Sequence, residues 1–143
     1  MDINSILKDK GTEIFHIAPS AGIVDAAARM RRDNVGALLV RGEDGEFKGI
    51  ITERDIVNAL GRGGADFGSV RVSEMMVSIE RLIVAEPDDQ CEHVMAVMIQ
   101  KGIRHMPVVE SGRIAGVISI RDLVRATIMK VSPRAHFLSD YLK

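Results

Sequence analysis

Gly49-Ile50-Ile51-Thr52-Glu53-Arg54-Asp55-Ile56-Val57-Asn58-Ala59 returns 67 residues later as Gly116-Val117-Ile118-Ser119-Ile120-Arg121-Asp122-Leu123-Val124-Arg125-Ala126, with six of the eleven positions identical. Most of the other changes, Thr52 against Ser119 among them, keep the chemistry. A repeat of this kind means that one structural unit has been used twice. Upstream of it the offset is 68, with Pro19 matching Pro87, Met30 matching Met98 and Val40 matching Val108. The one-residue difference therefore falls in the turns at 42–48 and 110–115, where a change in length costs least.

Each unit reads as strand, helix, strand, hairpin, strand, helix. In the first, residues 14–17 form a short strand, and Pro19-Ser20 starts a helix with Ser20 as the expected N-cap. Ile23, Ala27 and Met30 then recur at helical spacing, as do Cys91, Met95 and Met98 after Pro87-Asp88-Asp89. That alignment assigns Cys91 to a core face as a small buried hydrophobe. Residues 35–40 and 103–109 are apolar runs of strand length. Asp44-Gly45 and Ser111-Gly112 follow them as hairpin turns, because glycine accepts the positive φ that tight hairpins need. The returning strands lead to helices beginning at Thr52 and Ser119, with Ile56, Val57 and Leu60 expected to face inward in one and Leu123, Val124 and Thr127 in the other. The boundaries read from this pattern are an N-terminal segment 1–11, repeat one at 12–60, a Gly-rich linker 61–79, repeat two at 80–128 and a tail 129–143 expected to be helical.

Composition bounds the function without naming it. The 143 residues are 46% apolar but only 3% aromatic, with no Trp and eight Met, so the core must be aliphatic. Repeats of about 50 residues hold only a marginal core alone, so the halves should pack on each other. A net charge of −1 offers no broad basic field for nucleic acid. No signal peptide or 20-residue apolar span is visible, and one Cys forms no internal disulfide. The expectation is a cytoplasmic protein that engages neither nucleic acid nor membrane.

Residues 12–128 resemble a tandem pair of cystathionine β-synthase (CBS) domains, a module also found in IMP dehydrogenase and AMP-activated kinase. The resemblance rests on the duplicated Gly-apolar-apolar-Thr/Ser-x-x-Asp blocks, on Gly102-Ile103-Arg104-His105-Met106-Pro107-Val108-Val109, and on the Pro19 and Pro87 that open the repeats. It implies a mixed α/β (α+β) fold of two β-α-β-β-α repeats packed through their sheets with pseudo-twofold symmetry.

The same resemblance implies that the Asp of each Thr/Ser-x-x-Asp block holds the ribose hydroxyls of an adenosine ligand. In this chain that means Asp55 with Thr52, and Asp122 with Ser119. An ionised carboxylate accepts two hydrogen bonds from vicinal hydroxyls, and N–H groups at a helix start attract phosphate. Thr-x-x-Asp at a helix start is also close to a capping box, so helix capping is the competing reading. Arg104 and His105 interrupt an apolar run and are expected on the phosphate side of a cleft; their counterparts Gly36 and Ala37 carry no charge. Arg54 and Arg121, each before its Asp, could support phosphate or be solvated. With no aromatic in these motifs, apolar walls must hold the adenine: Val117 with Val35, Gly36 and Thr12 for the Asp122 cleft, Ile50 with Ile103 and the neighbourhood of Glu80 for the Asp55 cleft. Glu80 stands where repeat one has Thr12, so its charge would repel phosphate there. If His105 acts as a cation, affinity should weaken as pH rises through its pKa.

No Ser-His-Asp set, Walker loop or dinucleotide glycine fingerprint is present, so no enzyme activity is expected. The reading is a non-enzymatic regulatory module that binds AMP, ADP, ATP or NAD(H), with S-adenosylmethionine less favoured, and alters a homodimer or an unidentified regulated protein. Met75-Met76 and Ile128-Met129 are the expected dimer faces. The alternatives are an interaction module with vestigial clefts, and a metal-dependent redox sensor using Cys91 and the histidines.

Overall fold

The computed structural model describes residues 1–11, 13–63, 66–128 and 132–142. Thr12 of the expected ligand cleft and Met129 of the expected dimer face lie outside them.

Repeat one contains β1 (His16–Ile17), α2 (Ile23–Asp33), β2 (Ala37–Arg41), β3 (Phe47–Thr52) and α3 (Glu53–Gly61). Before it runs α1 (Ile3–Lys10). A short helix α4 (Val72–Met75) and strand β4 (Val77–Ser78) follow, then α5 (Cys91–Lys101), β5 (His105–Glu110), β6 (Arg113–Ser119) and α6 (Ile120–Ile128). The first sheet has the order β1-β2-β3-β4, with β1 parallel to β2 and the other pairs antiparallel. In the second, β5 pairs with β6, and Ala85 adds a parallel bridge to Val108 where repeat one has β1. The expected repeat order is thus present.

The hairpins carry the one-residue difference. Arg41 pairs with Phe47 across the longer first turn, whereas Ser111 and Gly112, both at positive φ (52° and 75°), make the tight second turn. Two successive positive-φ residues give the primed turn that matches strand twist.

Two hydrophobic cores lie between helices and sheets. Leu38, Val40 and Ile51 point from the first sheet toward Ile23, Ala26 and Met30 of α2. Met106, Val108 and Ile118 do the same for Cys91, Val94 and Met98 of α5. Leu39 and Ile50 alternate to the opposite face of the first sheet and are also buried.

Leading segments are exchanged between the cores. Ile3, Ile6 and Leu7 of α1 belong to the core of repeat two, and Val72 of α4 belongs to that of repeat one. Backbone bonds fix both exchanges in matching ways: Ile3 N–H donates to the Asp89 carbonyl at 3.0 Å, and Val72 N–H donates to the Ala21 carbonyl at 2.8 Å. Residues read from sequence as a leader and a linker are therefore core elements of the opposite repeat. The conserved spacing of Gly49 and Gly116 acquires a reason here. A Cβ on Gly49 would overlap the Val77 carbonyl of β4, and one on Gly116 would meet Leu7 Cδ2 of α1 at 2.8 Å.

Several local expectations are corrected. Helix α2 is capped by Gly22 rather than Ser20, because the chain makes a turn at 19–20 before it enters the helix. Val57, Leu60 and Val124 are 63%, 54% and 40% exposed, and Thr127 is exposed too. Ala59, not Leu60, completes the buried stripe of α3, since α4 and the chain before it cover the face next to Ile56. Met75 and Met76 pack against the core of repeat one, so they form no exterior face. The described part of the tail holds one 3-10 turn, Leu138–Asp140, and no α-helix. No described helix is long and apolar enough to cross a membrane.

Candidate ligand cleft

At the ends of β3 and β6 the chain turns directly from strand into helix, and the duplicated acid stands in the first helical turn. Thr52 N–H donates to Asp55 Oδ2 at 2.8 Å, and Ser119 N–H donates to Asp122 Oδ2 at 2.8 Å. In return Asp55 N–H donates to Thr52 Oγ1 at 3.4 Å, and Asp122 N–H to Ser119 Oγ at 3.1 Å. Both capping boxes are complete, with Asp where Glu or Gln is usual. Capping does not compete with ligand binding here: the box holds each carboxylate in a fixed orientation.

The two acids sit in different surroundings. A cleft of about 710 Å³ opens beside Asp122, between the start of α6 and the first strand and helices of repeat one. Eight expected residues line it: Asp122, Ser119, Arg121 and Val117 from one repeat strand and helix, Arg104 and His105 at the head of β5, and Val35 and Gly36 from repeat one. Register explains the meeting. His105 pairs with Ser119 and Pro107 with Val117, while Ile120 N–H donates to the Arg104 carbonyl at 2.9 Å. A Cβ on Gly36 would lie 2.9 Å from the His105 ring, so a larger residue there would push that side chain aside.

Asp55, Thr52, Ile50, Ile103 and Arg54 stand apart from this cleft. Ile50 is buried, Ile103 packs on the core of repeat two, and Arg54 donates to the Gly102 carbonyl at 3.3 Å. Glu80 is exposed in a 3-10 turn. A second cavity of about 300 Å³, lined by Ala59, Phe67 and Met75 among others, includes none of these residues.

Two cleft residues were not legible in the sequence. Lys10, the last residue of α1, donates from Nζ to Asp122 Oδ2 at 2.7 Å and to the Val117 carbonyl at 2.6 Å. Its place depends on α1 crossing to repeat two, which no local pattern announces; the equivalence of Ile3 and Val72 puts Ile79 opposite it in the other half. Phe15 also lines the cleft, so an aromatic is available near the apolar wall after all.

Charge follows from these neighbours. Burial pushes the Asp122 carboxyl up, but Lys10 and the Ser119 bonds more than offset it, and the group titrates below the ordinary range. No cation hydrogen-bonds to Asp55: burial raises its carboxyl, and the bonds from Thr52 and the nearby charge of Arg54 only moderate this. His105 titrates below its ordinary value, chiefly through burial, with Glu53 pulling the other way. Burial thus favours the neutral imidazole, and the cleft has positive charge without it. That charge comes from Lys10, Arg31, Arg104, Arg121 and Arg125, which outnumber the acids Glu13, Glu53 and Asp122 on the same walls.

Cys91 is buried, and burial raises its thiol pKa. Among the described residues it joins no metal-binding group with a histidine; the one acidic cluster, Glu86-Asp88-Asp89, lies at the entry to α5, where Asp89 accepts from Glu86 N–H at 2.8 Å.

The CBS domain sequence profile matches residues 9–62 and 72–128. The chain belongs to the CBS domain family. It is 34% identical to the CBS-domain containing protein ATU1752 from Agrobacterium tumefaciens, whose crystal structure superposes with a TM-score of 0.84 over 89% of this chain and 93% of that one. CBS domain-containing protein YhcV of Bacillus subtilis is 32% identical over 85% of this chain and 84% of its own length. The CBS domain pair of protein MJ0100, solved in complex with 5-methylthioadenosine and S-adenosyl-L-methionine, is 26% identical, with a TM-score of 0.76 over 92% of this chain and 98% of that one.

Proposed function

We propose that this CBS pair is a non-catalytic regulatory module that takes an adenine nucleotide in the Asp122 cleft. The observation that carries the reading is a fixed, ionised carboxylate at the edge of a cavity of about 710 Å³ whose walls hold more cations than acids. Asp122 and Ser119 would take the ribose hydroxyls. Val35, Val117 and Phe15 offer apolar surface for the base, and Arg104 and Arg121 face the phosphate. The adenosyl ligands of the MJ0100 pair support the ligand class. The cationic walls favour AMP, ADP, ATP or NAD(H) over S-adenosylmethionine, which itself carries a sulfonium charge.

A ligand spanning both repeats would bias their relative angle, and through it a homodimer or a regulated protein. Val57 and Leu60, one helical turn apart on α3, are the exposed apolar pair that suits a second copy. The Asp55 motif supports the alternative role: its half-buried acid caps α3 and lines no part of the cleft, and we read it as structural. Calorimetric titration with AMP, ADP, ATP, NAD(H) and S-adenosylmethionine tests the proposal. The expected result is one dominant site for a phosphate-bearing ligand; no heat with any of the five at millimolar concentration rejects it.

A further inference from the structure

Lys10 holds one of the two carboxylate oxygens that the vicinal hydroxyls of the proposed ligand would use. Its ammonium lies 2.7 Å from Asp122 Oδ2, the same oxygen that takes the Ser119 N–H, and 2.6 Å from the Val117 carbonyl beside the expected base. Asp122 is therefore already neutralised by a residue from outside the repeat that carries it. The helix that delivers Lys10 is held firmly, with Ile3, Ile6 and Leu7 in the core of repeat two and Gly11 N–H closing its last turn on the Leu7 carbonyl at 2.9 Å. Only the four-carbon stem of Lys10 needs to move for the ammonium to leave.

Resting on the nucleotide-binding reading, we infer that Lys10 is a latch that a ligand must displace from Asp122 and that only a phosphate-bearing ligand can satisfy afterwards. Ribose hydroxyls arriving at Asp122 take over the carboxylate and release the ammonium. A nucleoside leaves that charge without its partner in a half-buried cleft already rich in arginine. A nucleotide supplies phosphate oxygens that accept it. Lys10 thus penalises adenosine and favours AMP at the same site, and it has no counterpart at Asp55, where Ile79 holds the structurally corresponding position.

The test is Lys10→Gln, which keeps the stem and helix propensity but removes the charge, compared with the unaltered protein by calorimetry with adenosine and with AMP. Losing one charge-assisted phosphate contact while relieving the competition at Asp122 should lower the ratio of AMP to adenosine affinity by about tenfold or more. Adenosine itself should bind the variant as tightly as the parent or more so. Carbon-detected titration of the Asp122 carboxyl should find its pKa higher in the variant. Equal weakening of both ligands, or an unchanged ratio, overturns the latch while leaving nucleotide binding intact. Adenosine binding by the variant alone supports the latch in its strongest form. Failure of both proteins to bind either ligand rejects the binding reading itself, and the latch with it.

Discussion

Replacing Asp122 by Asn separates the ligand role of the acid from its capping role. The amide retains an oxygen that can accept the Ser119 N–H, so most of the cap survives. The pair with Lys10 is lost, but its side chains are 37% and 14% exposed, and a solvent-screened pair of this kind contributes no more than about 1 kcal/mol. Binding should suffer more. Two vicinal hydroxyls that donated to an ionised carboxylate now face a neutral group with one acceptor, and a hydrogen bond to a charged partner is worth about 1.5–3 kcal/mol, or roughly 10- to 150-fold in affinity. Release of Lys10 toward the phosphate offsets part of this, so AMP affinity should fall by an amount near the tenfold end. Asp55→Asn, outside the cleft, should leave AMP affinity within about twofold, since it removes no ligand contact. Calorimetry gives the affinities, and thermal melting without ligand confirms that both variants fold. Equal losses in the two variants, or a folded Asp122→Asn that binds AMP as the parent does, would refute the reasoning.

Leu7→Ala removes a buried side chain that packs beside Gly116 and should destabilise the protein by about 2–5 kcal/mol, read as a lower denaturant midpoint, if α1 is a true part of the second core. A midpoint unchanged from the parent would mean that α1 is only loosely docked. Gly49→Ala should strip β4 from β3, because its methyl group overlaps the Val77 carbonyl, and hydrogen exchange should rise at the amides of 77 and 78. His105 binds a proton less readily when folded, so between its unfolded value of about 6.5 and its lower folded value the unfolded chain holds the extra proton. Stability should therefore be complete above that window and fall as pH drops through it; His105→Gln should flatten this part of the melting profile, and an identical profile would count against a half-buried neutral imidazole. Sedimentation should find a homodimer in the parent and a monomer after Val57→Asp with Leu60→Asp, whereas a dimer that survives both changes places the interface elsewhere.

The duplicated Gly-to-Ala block determined, without any coordinates, that the fold has two equivalent halves. Local rules then gave the order of elements, because hydrophobic period, proline and turn glycines act within a few residues of themselves. The same locality placed Asp122, Ser119, Arg104 and His105 at one end of the second repeat. It did not give the inward face of α3: Val57 and Leu60 are apolar and correctly spaced, yet they point outward, because which side of an amphipathic helix is covered depends on what packs there. Nor did it give Lys10, Phe15 or the opposite shifts of the two carboxyls, although the uncharged Gly36 and Ala37 in place of Arg104 and His105 already made the two clefts unequal. Asp55 and Asp122 occupy identical motifs with identical capping bonds, and their carboxyls shift in opposite directions. The exchange of leading helices between the cores brings Lys10 into direct contact with one acid and no cation into contact with the other, and Coulomb interactions follow distance in space rather than separation along the chain.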